Sequence, residues 1–546
     1  MKRLCALLLA MGLSVMLLIG DPLPAQENPQ ATTESQSAGP EALQKRYGGV
    51  YRAPLLNNPR TLDPAYVEDM YGVTVVQQLF DGLVRFSPDL YVLPALAENW
   101  RVEEGGTVYR FFLRQDARFH NGQRVSAKDV VFSLSRLIRV NPPPAILPHL
   151  LKIIGAQNYL EQKTDRIDGI HIVDDHTVLM RLEQPYAPFL AALGMYQAKI
   201  VPQEEVLKNE GGFGQDPVGS GPFKFVEWRQ NEKIQLTAFR DYYGGPPYLD
   251  SIDYIVYPGI NIEAVLADFE KGNLYEMPVS KTILQKLKDR KDLQRVHRPS
   301  LSLQFYGFNC EHPLLKDAAL RELLSRAIDR QKLVAEAYGG QLELALSLIP
   351  PGLPGYLPNG EFARADADGP DAIKIPEPLA SKIKDSAPLE IVSNSQSVIA
   401  QAELKHVQES WARLGLTVHI KYITDWAEFE RYLKSDTLQL YRYAWFADIP
   451  DPDNFLQPLF ASNSQTNFMR FKNAEVDTML QKSVSSMDPI ERSTMYQQIQ
   501  KKILASHPLI PLCYLSIDAV YQPFVKGIAV SALGTHSVAY NGVWIK

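Results

Sequence analysis

Short apolar runs bounded by Gly, Pro, Asn and Asp alternate along this chain with longer stretches whose apolar residues recur every three or four positions. The first pattern predicts strands and the second helices. Order is expected to start at Tyr47–Arg52, with a turn at Asp63-Pro64, a helix from near Glu68 to Phe80, and a strand at Leu83–Phe86 after the Asp81-Gly82 turn. Tyr109–Arg114 reads as a strand and Asn121-Gly122 as a turn. Ser126-Ala-Lys-Asp129 resembles a capping box before a helix with Val130, Leu134 and Leu137 on one face. Ile170–Leu182 reads as a hairpin turning at Asp174-Asp175, Gly219–Trp228 as a glycine-led strand, and Ile252–Tyr257 as a strand followed by a helix from about Ile262 to Glu270.

The second half alternates helix and strand. Asp317 caps a helix whose apolar side is Leu320, Leu323, Leu324, Ala327 and Ile328. Leu389–Val392 is a strand, and the helix after it carries Leu404, Val407, Trp411 and Leu414 and stops at Gly415. Leu416–Ile423 (strand), Asp425–Lys434 (helix) and Leu438–Trp445 (strand) follow, and Asp488-Pro489 opens a long helix. This order implies an α/β protein with a parallel or mixed sheet covered by helices, whose ligands sit beyond the carboxyl ends of strands.

One such end stands out. The aromatic strand at Tyr441–Phe446 stops before Asp448 and turns through Pro450 and Pro452. A carboxylate, an indole (Trp445) and a guanidinium (Arg442) at one strand mouth suit a ligand with an ammonium, a carboxylate and amides between them. Taken alone, Asp448 reads as a turn residue making a local hydrogen bond, Trp445 as a core or edge residue, and Arg442 as a surface ion-pair partner.

The 546 residues exceed what one core serves, so two or more lobes are expected. A net charge of -6 without a basic block argues against nucleic acid or an anionic membrane as partner. Lys2 and Arg3 before an apolar Leu4–Gly20 run, with Ala25 before a cut, read as an export signal over 1–25; an uncleaved anchor is the alternative. Cys5 precedes the apolar run, so it is not a lipoprotein cysteine. Residues 26–46 read as a flexible leader. Cys310 and Cys513 then remain, and a disulfide is possible in an oxidising compartment. No metal centre is expected: His171 and His176 bracket a turn, Cys310-Glu-His312 is too short a cluster, and Leu456 replaces the glycine of a calcium loop. Gly219-Ser-Gly221 is no nucleophile elbow and Gly211–Gly214 no phosphate loop, so no catalytic residue is assigned.

Seven segments, in order, carry a resemblance: Thr61–Pro64, Val92–Trp100, Phe111–Gly122, Ser126–Phe132, Gly219–Phe225, Leu324–Asp329 and Asp451–Phe455. Together they resemble the extracytoplasmic solute-binding proteins of family 5, which include the oligopeptide- and dipeptide-binding proteins of ABC importers. The resemblance implies a two-lobed, type II periplasmic-binding-protein-like fold with an inserted α+β domain. Lobe I would comprise 47–80, 190–300 and 515–546, the insert 81–189 and lobe II 301–514. It implies a periplasmic monomer without a cofactor that closes over a peptide and delivers it to a membrane permease. In oligopeptide-binding members an Asp three residues after a Trp takes the ammonium, which Asp448 after Trp445 matches; an Arg three before that Trp helps hold the carboxylate, which Arg442 matches. Main chain beside Ala444 and Phe446 would pair with the peptide, Glu68 would line a side-chain pocket, and Tyr443 and Tyr514 would be wall residues. The segment Asp366–Pro378 departs from the family pattern, being poor in helix signals, so ligand preference near it is not inherited. The same fold serves nickel chelates, haem and sugars, which stay open as ligands; an exported hydrolase is the reading from another class.

Overall fold

The computed structural model describes residues 46–209, 211–358 and 374–546. The export signal, nearly all of the leader and most of the Asp366–Pro378 segment lie outside the described residues. Among the described residues no helix is long and apolar enough to cross a membrane. Residues Tyr47–Lys546 form one compact unit.

The first lobe is built on a four-stranded sheet in which Val50–Leu55 runs parallel to Ser251–Val256, followed antiparallel by Lys233–Ala238 and Phe223–Arg229. Alternate residues of Val50–Leu55 are buried, and they pack with Val75, Val76 and Leu79 of the helix Met70–Leu79. Asp69 starts that helix by accepting the Gly72 N–H at 2.8 Å. The end of the chain returns to this core: Tyr540 and Tyr51 each donate a 2.8 Å hydrogen bond to the half-buried Glu276, and Gln78 donates to the Val538 carbonyl.

A separate antiparallel sheet of Ala97–Glu103, Val108–Leu113, Thr177–Arg181 and Ile170–Asp174 makes the inserted α+β layer. It is covered by the helix Ala127–Arg139, whose Ser126–Asp129 capping box is formed and whose Val130, Leu134 and Leu137 are buried.

The second lobe carries a six-stranded mixed sheet in the order Glu343–Leu344, Leu509–Tyr514, Ser302–Phe308, Leu440–Phe446, Leu389–Ser393, Val418–Tyr422. Its last three strands are parallel and the rest antiparallel. Two adjacent crossings join it to the first lobe. Gln294–Pro299 runs straight into Ser302–Phe308 and Leu509–Tyr514 into Ser516–Tyr521, with the Ser300 N–H bonded to the Leu515 carbonyl at 2.8 Å.

Several elements differ from expectation. The helix capped by Asp317 ends at Arg326, and Asp329 caps a second one, Arg330–Tyr338, because its side chain competes for the Lys332 N–H. Helices Asp453–Phe460 and Ala474–Ser485, and strands Ser302–Phe308 and Leu509–Tyr514, were not foreseen. Cys310 and Cys513 are separate free thiols.

Candidate functional site

Strand Leu440–Phe446 pairs along its whole length with Ser302–Phe308, but on its other edge Leu389–Ser393 pairs only with Leu440 and Tyr441. The bonds Asn309 N–H to Gln439 O and Ala447 N–H to Leu301 O flank the long ladder. They fix its alternation: odd-numbered residues of the strand exchange bonds with Ser302–Phe308. The N–H and C=O of Ala444 and Phe446 therefore turn to the unpaired edge, and neither has a hydrogen-bond partner among the described residues.

The strand ends in a fixed corner. Asn454 holds it twice: its carbonyl accepts Trp445 Nε1–H at 2.7 Å and its side-chain oxygen accepts the Asp448 N–H at 3.0 Å. Phe446 is 56% exposed, whereas Trp445 leans on the second lobe's core. The Asp448 side chain reaches solvent, yet enough protein surrounds it that burial raises its pKa above the usual carboxylate value. It has no ion-pair partner among the described residues, and neither does the exposed Glu68 across from it.

Tyr196 from the first lobe joins these groups. Its phenol is pushed up to about 12 by burial and then by the carboxylates of Asp448, Glu68 and Asp69, so both lobes meet around it. Tyr196 and Glu68 also line a cavity of about 370 Å³ with Tyr66, Arg60 and Pro142–Ala145. Asp448, Glu68 and Asp69 form no ion pair among the described residues, and against Arg60 alone in the cavity wall they favour a positively charged guest. No sequence motif pointed to Tyr196, and Asn454 lay in the family-like segment Asp451–Phe455 without being assigned a role.

Three expected site residues take other places. Arg442 lies on the opposite strand face from Trp445, since three residues apart means opposite faces. Its Nε and Nη2 grip the fully buried Glu403 at 2.8 Å each, and Tyr306 and Tyr338 donate to the same carboxylate. That pairing raises the guanidinium pKa against the lowering effect of burial, and the group already has its counter-ion. Tyr443 is buried among Phe305, Phe429 and Phe468. Tyr514 is buried too, its hydroxyl donating to the Ser347 carbonyl at 2.8 Å.

Comparison with known proteins agrees with this architecture. The model of bacterial extracellular solute-binding proteins, family 5 (middle) matches residues 92–467, and the chain belongs to that family. The dipeptide-binding protein of Escherichia coli K12 is 27% identical over 480 residues, covering 84% of this chain and 88% of the relative. Heme-binding protein A of Haemophilus influenzae is 26% identical, covering 84% and 85%. The periplasmic binding protein DppA of Helicobacter pylori, solved with the peptide STSA, superposes with a TM-score of 0.73 at 25% identity, covering 92% of this chain and 99% of that one. Members of the family are solute-binding proteins, and these neighbours share the two-lobed type II fold.

Proposed function

We propose that this chain is the peptide-capturing component of an ABC importer, exported to the periplasm, acting as a monomer and not as an enzyme. The observation that carries the reading is the unpaired main-chain edge at Ala444 and Phe446, ending at an unpaired Asp448. An extended peptide adds to that edge by backbone hydrogen bonds, which do not depend on its side chains. Its ammonium then meets Asp448, opposed by Tyr196 and Glu68 from the first lobe. Trp445 shapes the corner, while Arg442 on one face of the strand and Tyr443 on the other, with Tyr514 on a neighbouring strand, support it within the second lobe. Motion of 47–80, 190–300 and 515–546 against 301–514, about the two crossings, would open and close the cleft before delivery to a permease. The relatives named for dipeptides, and the neighbour holding STSA, support this ligand class.

Titration calorimetry with a tripeptide and its Nα-acetylated form tests the reading. Binding of the free amine and at least tenfold weaker binding of the acetylated form are expected. Equal affinities would refute amine capture, and tight binding of haem with no peptide binding would favour the second ligand class.

A further inference from the structure

Among the described residues, one buried charge without a protein partner lies away from Asp448. Lys199 is 6% exposed, and its ammonium has no hydrogen bond or ion pair among the described residues. It lines a cavity of about 120 Å³, well above the ~10–15 Å³ that admits one water. A charge on a side chain so far from bulk water is costly unless a group of opposite charge or several dipoles face it.

One buried carboxylate, Asp81, lies in the wall and is engaged by protein hydroxyls at one oxygen only. Asp81 Oδ2 accepts the phenol of Tyr242 at 2.9 Å and that of Tyr243 at 2.7 Å. Gly82 bridges to Lys199 in the backbone, which sets the two side chains near each other without a direct ion pair. Arg85 adds a second cation to the lining, giving two positive groups against one carboxylate that two hydroxyls share. Gln77, Ser537 and Asn541 complete the wall, and their side chains make no hydrogen bond among the described residues. Burial, opposed by Asp81, lowers the lysine's pKa to about 8, as befits a charge short of partners.

We propose that this cavity is an oxyanion site, taking a carboxylate or a phosphate-sized anion on Lys199 with Gln77, Ser537 and Asn541 as neutral donors. The volume admits a small anion or the end of a chain, not a whole peptide. The oxyanion can be free in solution or be the terminal carboxylate of a ligand lying in the cleft. The site itself does not rest on peptide capture at Asp448.

Titrating inorganic phosphate, and separately acetate, into the full chain at constant ionic strength against chloride tests this. Saturable one-to-one binding is expected, weakened at least tenfold by Lys199→Met and severalfold by Asn541→Ala or Ser537→Ala. The alanine variants change half-buried residues without hydrogen bonds of their own, so they report even if Lys199→Met fails to fold. Phosphate binding that leaves a peptide's Kd unchanged identifies a free-anion site. Competition with the peptide that vanishes when its terminus is amidated identifies the ligand's own carboxylate. Absence of saturable binding to the unmodified chain, or equal affinity in all three variants, would overturn the proposal.

Discussion

Asp448 and Arg442 stand six residues apart in the sequence, yet they have opposite electrostatic situations. Asp448 is partly desolvated and unpaired; Arg442 is desolvated and fully paired with Glu403. Asp448→Ala should therefore weaken peptide binding by ~2–5 kcal/mol in calorimetry, because a buried ammonium loses its counter-charge. Its effect on unfolding should be small. Arg442→Met should behave the other way, leaving Glu403 buried without its cation and lowering stability by ~3–5 kcal/mol in urea unfolding. Peptide affinity, measured where the variant is folded, should stay within a factor of about three. A large affinity loss in a stably folded Arg442→Met would return that residue to the ligand site. The spacing of Asp448 from Trp445 made the carboxylate legible in the sequence. Glu403 was not legible, because a glutamate on a helix otherwise lined by Leu404, Val407 and Trp411 gives no local sign of the arginine opposite it.

The strand Leu440–Phe446 shows what pattern can and cannot supply. Its aromatic run and the prolines after it mark both the strand and its end, so the location of the site was legible. Which edge lies open depends on where Leu389–Ser393 stops pairing, a tertiary fact absent from either segment. Ser302–Phe308, the partner on the other edge, is buried at all seven positions and so lacks the alternation that exposes a half-buried strand. The helix Asp453–Phe460 was hidden by Pro450 and Pro452, which read as a turn, although Pro452 sits at the helix N-cap, where its missing N–H costs nothing. An edge that offers its N–H outward can be tested by removing that donor. Phe446→Pro deletes a main-chain donor which faces the open edge and lies outside the ladder to Ser302–Phe308. It should cost ~0.5–1.5 kcal/mol of peptide affinity, with the unfolding midpoint nearly unchanged. Unaltered affinity in a folded variant would argue against strand addition at this edge.

At the scale of the whole molecule, the inserted layer is held to both lobes by groups whose titration is displaced. Toward the first lobe, His120 contacts the Gly221 carbonyl through Nε2 at 3.0 Å and accepts the Gly219 N–H on Nδ1 at 3.1 Å. A ring that accepts on one nitrogen must be neutral, and burial lowers its pKa to about 4. Toward the second lobe, Ile449 enters the insert's core and the Ala187 N–H bonds the Val484 carbonyl. There His149, beside Tyr186, is also lowered to about 4 by burial, as is His536 in the first lobe. Asp453 at the same junction is raised to about 7 by burial and by Asp451, against the opposing pull of Arg492. The histidines' folded values lie below that of an unfolded chain, which takes up protons first as pH falls. Their contribution is complete above about 6.5 and is lost progressively toward 4. Asp453 acts in the opposite sense, since its folded value lies above the unfolded one and acid relieves the cost of its buried charge. Asp448 and Glu276, also raised by burial, share that sense. The three histidines, each displaced well below the unfolded value, should outweigh these carboxylates and lower the thermal midpoint as pH drops from 6.5 to 4.5. Asp453→Asn should raise the midpoint at pH 8, where the native carboxylate is charged, and leave it nearly unchanged at pH 5, so the variant's acid slope is steeper. Scanning calorimetry of both proteins over that range checks the sign; a midpoint that rises on acidification would show that the histidines are not held neutral in the fold.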